Sequence, residues 1–271
     1  MHVVVCVKQV PDTTNVRINP ETNTLMREGV ESIVNPFDEF ALEQALEMKD
    51  RFGARVSVVS MGPPQAKAVL RDALARGADD AHLISSRAFG GADTLATSYT
   101  IALAVKKICG GAPDLVLFGK QAIDGDTAQV GPGVSEFLDV PLVTYVKKLD
   151  VESDASGAAA KWRVVSAMDD GDHVVEGAFP AVMTVLKEAA PPRFAPLAGA
   201  IKAAREQIDV LDEKALGADP AKIGLGGSPT KVVTIFPPPV KGGGEKVDAR
   251  SDAARGARAI AEFLAKKGLV K

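Results

Sequence analysis

The chain has 271 residues, of which 46% are hydrophobic, 25% charged and 5% aromatic, and a formal net charge of −3. These values suit a globular protein able to bury a sizeable core without cross-links, and they exclude disorder along the whole chain. The slightly acidic balance offers no basic field for nucleic acid or an anionic membrane, and no run approaches the roughly 20 apolar residues of a membrane span.

The apolar start, Met1-His2-Val3-Val4-Val5-Cys6-Val7-Lys8, is too short for a signal peptide, has no basic lead-in, and reads as a buried first strand. Short β-branched runs at 3–7, 56–60, 81–85 and 114–118 alternate with helical patterns at about 38–52, 65–76, 93–109 and 127–138. Such alternation predicts βαβ units. Continuous hydrophobicity within the strands predicts helices on both faces of a mainly parallel, doubly wound α/β sheet.

Beyond about 140 the pattern changes. Val143-Thr144-Tyr145-Val146, Trp162-Arg163-Val164-Val165 and His173-Val174-Val175-Glu176 predict antiparallel strands, joined by a small-residue turn at 154–160 and a second reversal at Asp169-Asp170-Gly171-Asp172. Gly and Pro dominate from about 216 to 247, including Phe236-Pro237-Pro238-Pro239 and Gly242-Gly243-Gly244, a composition that predicts an extended arm. Ala254, Ala257, Ile260, Ala261 and Leu264 then mark an amphipathic terminal helix, which needs a surface to lie on: another subunit, or its own domain. The expected division is a nucleotide-binding domain over 1–215, with an antiparallel addition at about 143–186, and an arm and helix over 216–271.

Ligands of doubly wound sheets sit beyond the carboxyl ends of the strands, so the loops opening helices there carry the functional expectation. The loop Gly119-Lys120-Gln121-Ala122-Ile123-Asp124-Gly125-Asp126-Thr127-Ala128-Gln129-Val130 has two glycines for close backbone approach and Asp126 or Thr127 to cap the next helix. It is a chemically plausible pyrophosphate cradle, or simply a Gly/Asp-rich helix start, and it matches neither a Walker loop nor a Gly-x-Gly-x-x-Gly fingerprint. Asp93, Thr94 and Thr97 open another helix and can cap it or contact ribose and phosphate. Asn35 precedes Pro36 at a third helix start, with Glu39 supplying first-turn charge, and Lys8 to Asp12 close the first strand at the same edge.

No nucleophile triad or metal motif emerges. His2, His82 and His173 are dispersed on strands, and Cys6 and Cys109 are too few for a disulfide framework, a usage that points to a reducing cytoplasm.

Val7-Lys8-Gln9-Val10-Pro11-Asp12, Asn35-Pro36-Phe37-Asp38 with Ala41-Leu42-Glu43-Gln44-Ala45, and Gly119-Lys120-Gln121-Ala122-Ile123-Asp124 together resemble the beta subunit of electron-transfer flavoproteins, over about residues 1–210. Asp169-Asp170-Gly171 through Phe179-Pro180-Ala181-Val182-Met183-Thr184 resembles a later signature of that family, with Ser166 where the pattern has Lys or Arg and His173 where it has Glu or Gln. The resemblance implies an adenine-nucleotide α-hydrolase-like domain that binds a nucleotide and pairs with an alpha subunit carrying FAD. It also makes 187–200 a recognition loop for partner dehydrogenases, with Arg193 and the anchoring Leu197 as docking residues.

Asp124-Gly125-Asp126-Thr127-Ala128-Gln129-Val130-Gly131-Pro132, together with Gln9-Val10-Pro11-Asp12-Thr13 and the segment from Asn19-Pro20 to Gly29, is similar to the bifurcating and nitrogen-fixation-linked branch. In that branch a second FAD takes the place of AMP. The resemblance then implies hydride uptake from NADH, with one electron passing to ferredoxin or flavodoxin and one through the alpha-subunit FAD to an acyl-CoA dehydrogenase or quinone oxidoreductase. The cofactor carries that chemistry, so Asp12, Asn35, Asp93, Thr94, Thr97, Gly119, Lys120, Gln121, Asp124, Gly125, Asp126, Thr127, Gln129 and Val130 are expected as binding residues, with no acid or base catalyst. A non-bifurcating subunit with structural AMP, and a stand-alone adenine-nucleotide sensor, are the alternatives.

Overall fold

The computed structural model describes residues 1–12, 17–18, 25–26, 32–111, 113–153, 159–233 and 244–270. Thr13, most of the segment from Asn19-Pro20 to Gly29, the turn at 154–158, Phe236 to Pro239 and Gly242-Gly243 lie outside the described residues.

The first half alternates strand and helix as its hydrophobic runs dictate. Strand β1 (His2–Cys6) leads through β2 (Gln9–Pro11), β3 (Arg17–Ile18), β4 (Leu25–Met26) and β5 (Ser32–Val34) into helix α1 (Pro36–Phe52). Then follow β6 (Arg55–Met61), α2 (Lys67–Arg76), β7 (Asp80–Ile84), α3 (Thr94–Cys109), β8 (Leu115–Gly119) and α4 (Val130–Leu138). Pro36 stands at the first turn of α1, where its missing N–H costs nothing, and Gly53 ends that helix at φ 63°. The expected start of the fourth helix at 127 moves to Val130 because Asp126 and Ala128 adopt φ of 56° and 53°, which an α-helix cannot accommodate. Neither Asp126 nor Thr127 therefore caps α4; Gln129 occupies that position and its side chain makes no capping bond.

The second half adds β9 (Leu142–Ser153), β10 (Ala159–Met168), β11 (Gly171–Ala178), β12 (Ala181–Val185), α5 (Leu197–Arg205), β13 (Asp209–Leu211) and α6 (Ala253–Lys266). Nine strands form one sheet in the order β11-β10-β9-β12-β8-β1-β6-β7-β13. Among the described residues of this sheet only the β9–β10 and β10–β11 pairs are antiparallel; β2–β5 and β3–β4 form two separate antiparallel ladders. Ala181–Val185, which follows the antiparallel strands in sequence, instead runs parallel between β8 and β9 at the heart of the sheet.

Alternating residues of the central strands feed two separate cores, as a sheet covered on both faces requires. Val3, Val5, Val56, Val58, Leu115 and Leu117 pack with Leu42, Leu46 and Leu70 of α1 and α2. Val4, Cys6, Val59, Val116 and Phe118 pack with Ile101, Val105 and Val134 of α3 and α4. Because β1 lies between β6 and β8, the chain winds outward in both directions from it, and the topological switch falls at the carboxyl ends of β1 and β8.

The chain divides into two units, Met1–Val232 and Val233–Lys271. The Gly/Pro-rich stretch expected to be arm from 216 onward thus belongs to the first unit as far as 232: Leu216 and Ile223 bury themselves beside Ile84, Phe89 and Ile101. In the second unit, α6 is capped by Asp252, whose carboxylate accepts from Arg255 N, and it exposes Ile260 and Phe263.

Trp162, the single tryptophan, is buried in β10 and donates from Nε1 to the Ala178 carbonyl at 2.9 Å. A Cβ added at Gly177 would lie 2.2 Å from that pinned indole ring. Gly177→Ala is therefore expected to cost about 1–3 kcal/mol through overpacking. Thermal unfolding and Trp162 emission should report it together, as a lower midpoint and a red shift.

Candidate functional site

Three chain segments meet at the switch point, the exits of β1 and β8 from the sheet and the end of β5 from its separate antiparallel ladder with β2, and two buried side chains join them. Asp38 is 5% exposed in the first turn of α1, and its carboxylate accepts from Lys8 N at 2.7 Å, Gly119 N at 3.2 Å and Asn35 Nδ2 at 2.9 Å. Asn35, 1% exposed, donates from Nδ2 to the Gln121 carbonyl at 2.9 Å and accepts from Ile123 N at Oδ1, 3.1 Å away. Its own N–H reaches the Lys8 carbonyl at 2.8 Å. The exits of β1, β5 and β8 thus share one hydrogen-bonded floor.

Above that floor Lys8 Nζ spans the switch point to both carboxylate oxygens of Asp124, at 2.7 and 2.8 Å. Gln121 Nε2 donates to Asp126 Oδ1, and Asp126 N bonds the Ala122 carbonyl, so the 121–126 segment is a closed turn. Gly119 allows a close approach within the protein: an added Cβ would meet Asp38 Oδ1 at 2.4 Å and the Phe37 carbonyl carbon at 2.5 Å. Gly125 differs, since neither a left-handed φ nor any atom of the described residues within 4 Å of an added Cβ demands glycine there. Lys120 Nζ stands 5.6 Å from the centre of the Tyr145 ring, at an irregularity of β9 where Tyr145 has φ 55°.

The openings of α3 and α4 meet beside this loop. Thr94 Oγ1 donates to Gln129 Oε1 at 3.0 Å, and Ser98 Oγ lies 3.2 Å from the Val130 carbonyl. Glycine makes this closeness possible, because a Cβ at Gly133 would lie 2.4 Å from Ser98 Oγ. Thr97 is half-buried one turn into α3. Asp93 caps α3 through Leu95 N and Ala96 N at 3.0 and 3.1 Å, and its other oxygen receives Thr230, so its carboxylate is taken up by the chain itself. Asp12 follows β2, which pairs with β5 leading to Asn35.

A model of the electron transfer flavoprotein domain matches residues 22–216. Over 248 residues, 92% of each chain, the sequence is 50% identical to an electron transfer flavoprotein subunit beta of Clostridium acetobutylicum. It is 48% identical to protein FixA of Azotobacter vinelandii over 88% of this chain and 84% of that one. Identity is also 48% to CarD, a subunit of the caffeyl-CoA reductase–Etf complex of Acetobacterium woodii, over 91% of this chain and 92% of that one. The chain belongs to the electron transfer flavoprotein family.

As a beta subunit of that family it has an alpha subunit for partner. In this electron transfer flavoprotein chain the loop at 187–196 is fastened to α1: Arg193 Nη2 lies 2.8 Å from both Glu43 and Asp50, and Arg193 N donates to Glu43 at 2.9 Å. Arg193, expected to face a partner, is thereby committed to its own chain, because burying Glu43 requires a cation beside it. Leu197 is 78% exposed at the start of α5, and Phe194 beside it 96%.

Among the described residues no group of three or more His, Cys, Asp or Glu is arranged to hold a metal, and no helix is long and apolar enough to cross a membrane. His2 and His82 are engaged by Ser57 at 2.7 Å and Asp80 at 2.8 Å.

Sequence reasoning passed over Asp38, the residue that binds the floor together; the available signal was an acidic side chain two positions after a helix-opening proline at the sheet's edge. Burial raises its carboxyl from 3.8 to about 7, against the pull of Asn35, the Lys8 and Gly119 N–H groups and the Lys8 charge. Burial and the neighbouring Asp38 likewise push the Cys6 thiol well up.

The folded chain therefore keeps a proton on Asp38 at pH values where the unfolded chain has lost it. This contribution to stability is complete below pH 3.8 and disappears as pH rises through about 7. Denaturant unfolding between pH 4 and 8 should show the decline, up to about 4 kcal/mol, and Asp38→Asn should flatten it.

Proposed function

We propose that this chain is the beta subunit of a heterodimeric electron transfer flavoprotein that takes hydride from NADH and divides the two electrons. One goes to ferredoxin or flavodoxin; the other passes through the alpha-subunit FAD to an acyl-CoA dehydrogenase or quinone oxidoreductase. The beta chain's share is to hold FAD at the carboxyl ends of β1 and β8. When bound, FAD supplies hydride acceptance and single-electron transfer.

The observation that carries this reading is the convergence of the Asn35–Asp38 floor, the 119–130 loop and the openings of α3 and α4 at the switch point. The donor set suits a dinucleotide. At the α4 opening the Gln129 side chain makes no capping bond, and the main-chain N–H groups of the 127–131 stretch are read as donors for phosphates. Thr127 and Gln129 are exposed hydrogen-bonding side chains beside it. Gly125 leaves open space where any other residue would place a side chain, which favours the larger FAD over AMP. Ser60 Oγ, buried at the carboxyl end of β6, has no hydrogen-bond partner among the described residues.

Two further features fit a subunit. The unit from Val233 onward carries the amphipathic α6 and is read as the arm that embraces the alpha subunit. Exposed Leu197 and Phe194 are read as the docking point for a dehydrogenase. The name of the Acetobacterium relative, which ties it to a caffeyl-CoA reductase, supports an acceptor that works on CoA thioesters.

The cofactors extracted from the heterodimer, purified with its alpha subunit, test the proposal. Two FAD per heterodimer are expected. One FAD with one AMP would instead make the chain a scaffold for an ordinary carrier, and a colourless monomer that binds ATP would make it a sensor.

A further inference from the structure

After β13 the chain does not leave the first unit directly but runs back across it as a strap. Leu216 and Ile223 sink into the core beneath α3, and Asp219 N bonds the Tyr99 hydroxyl at 3.2 Å. At Gly224, with φ 58°, the strap comes so close to the loop before α3 that an added Cβ would lie 2.1 Å from the Ala88 carbonyl oxygen. Leu225 N bonds the Gly90 carbonyl at 3.0 Å.

The strap ends in a clasp on one carboxylate. Ser228 Oγ accepts from Asp93 N at 2.8 Å and donates to the Gly224 carbonyl at 2.7 Å. Thr230 gives both its N–H and its hydroxyl to Asp93 Oδ2, at 3.0 and 2.8 Å, while Asp93 Oδ1 keeps the two N–H groups of the α3 opening. Burial pushes the Asp93 carboxyl up, yet the donors from Ala96, Thr230 and Leu95 outweigh it and hold the group below its ordinary value, as expected for a carboxylate satisfied on both oxygens. The second unit begins at Val233, directly after this clasp. On its other side Asp93 adjoins Thr94, whose hydroxyl reaches Gln129 at the opening of α4.

We propose that Asp93 is a positioning residue that couples the root of the C-terminal arm to the nucleotide site. One oxygen orders the arm's point of departure and the other orders the α3 opening, which sets Gln129 through Thr94. Two groups sharing one carboxylate in this way reinforce each other, because each donor restricts the freedom the other would otherwise have to remove. Tension or release of the arm by the alpha subunit is then felt at the 127–131 stretch, and a bound nucleotide steadies the arm's root in return, since such coupling is reciprocal. The proposal rests on the reading of the 119–130 loop as the nucleotide's cradle and of the arm as the alpha subunit's handle.

The test uses the co-purified heterodimer and the double variant Ser228→Ala with Thr230→Val, which strips side-chain bonds from the strap and leaves the α3 cap whole. Backbone hydrogen exchange should quicken at 93–98 and 127–133, where nothing was substituted, as well as within 212–232. Release of the nucleotide beyond the alpha-subunit FAD, the second FAD or the AMP, followed by fluorescence and chromatography, should be about fivefold faster or more, the equivalent of a lost hydrogen bond. Thr230→Ser, which keeps both donors, should release nucleotide as the wild type does. Exchange that quickens only within 212–232, with nucleotide release unchanged, would overturn the coupling and leave Asp93 as a helix cap with a strap tied to it. A wild-type heterodimer that carries no adenine nucleotide beyond the alpha-subunit FAD would overturn the reading of the site itself, and the coupling with it.

Discussion

Everything at the carboxyl edge of this sheet depends on a buried carboxylate and a buried amide that meet at 2.9 Å, Asp38 and Asn35. Parallel strands end in unpaired backbone groups, and at a switch point two neighbouring chains diverge and leave those groups in a crevice. Here the crevice floor is closed from within: Lys8 N and Gly119 N are satisfied by Asp38, and Ile123 N and the Gln121 carbonyl by Asn35. Leaving the buried Gly119 N unpaired would cost about 1–3 kcal/mol, and the part-buried groups at Lys8, Gln121 and Ile123 less. Gly119 is part of the same constraint, because only a residue without Cβ lets β8 come within bonding distance of the α1 opening.

The floor and the rim differ in physical character. Asp38 titrates near 7 because it is desolvated, and so it stiffens the floor through geometry while lowering stability as it ionises. The Lys8–Asp124 pair at the rim is half-exposed, with side-chain exposures of 48% and 30%, and such pairs contribute little to stability. Its use is to hold the 119–130 loop across the switch point. Around it Gly125, Asp126, Thr127 and Gln129 are exposed. The same division recurs around Arg193, which makes an anchor with the buried Glu43 while Phe194 and Leu197 are left on the outside.

What could be read from sequence was what hydrophobic runs encode. The four leading strands and the helices between them follow from continuous Val/Leu/Ile segments buried on both faces, and the loops on the carboxyl edge follow from that order. Spatial order was less legible: Ala181–Val185 follows an antiparallel hairpin in sequence yet enters the middle of the parallel sheet, a placement decided by tertiary pairing with β8 and not by local pattern. The start of α4 was missed because Asp126 and Ala128 take left-handed backbone angles that composition does not announce. Asp93 and Arg193 looked available because sequence shows charge without showing its partner, and their partners lie 137 residues away at Thr230 and 150 residues away at Glu43. The strap at 216–232 looked like free arm because its two buried anchors, Leu216 and Ile223, are sparse among glycines and prolines.

The three chain exits form one cooperative floor and not three separate turns. Amide hydrogen exchange at Lys8, Gly119 and Ile123 in Asn35→Ala measures this most directly. The account predicts that all three amides lose protection together, by about tenfold or more, since removal of the Asn35 amide frees Asp38 as well as the 121–123 backbone. Loss of protection at Ile123 alone, with Lys8 and Gly119 still held by Asp38, would contradict it.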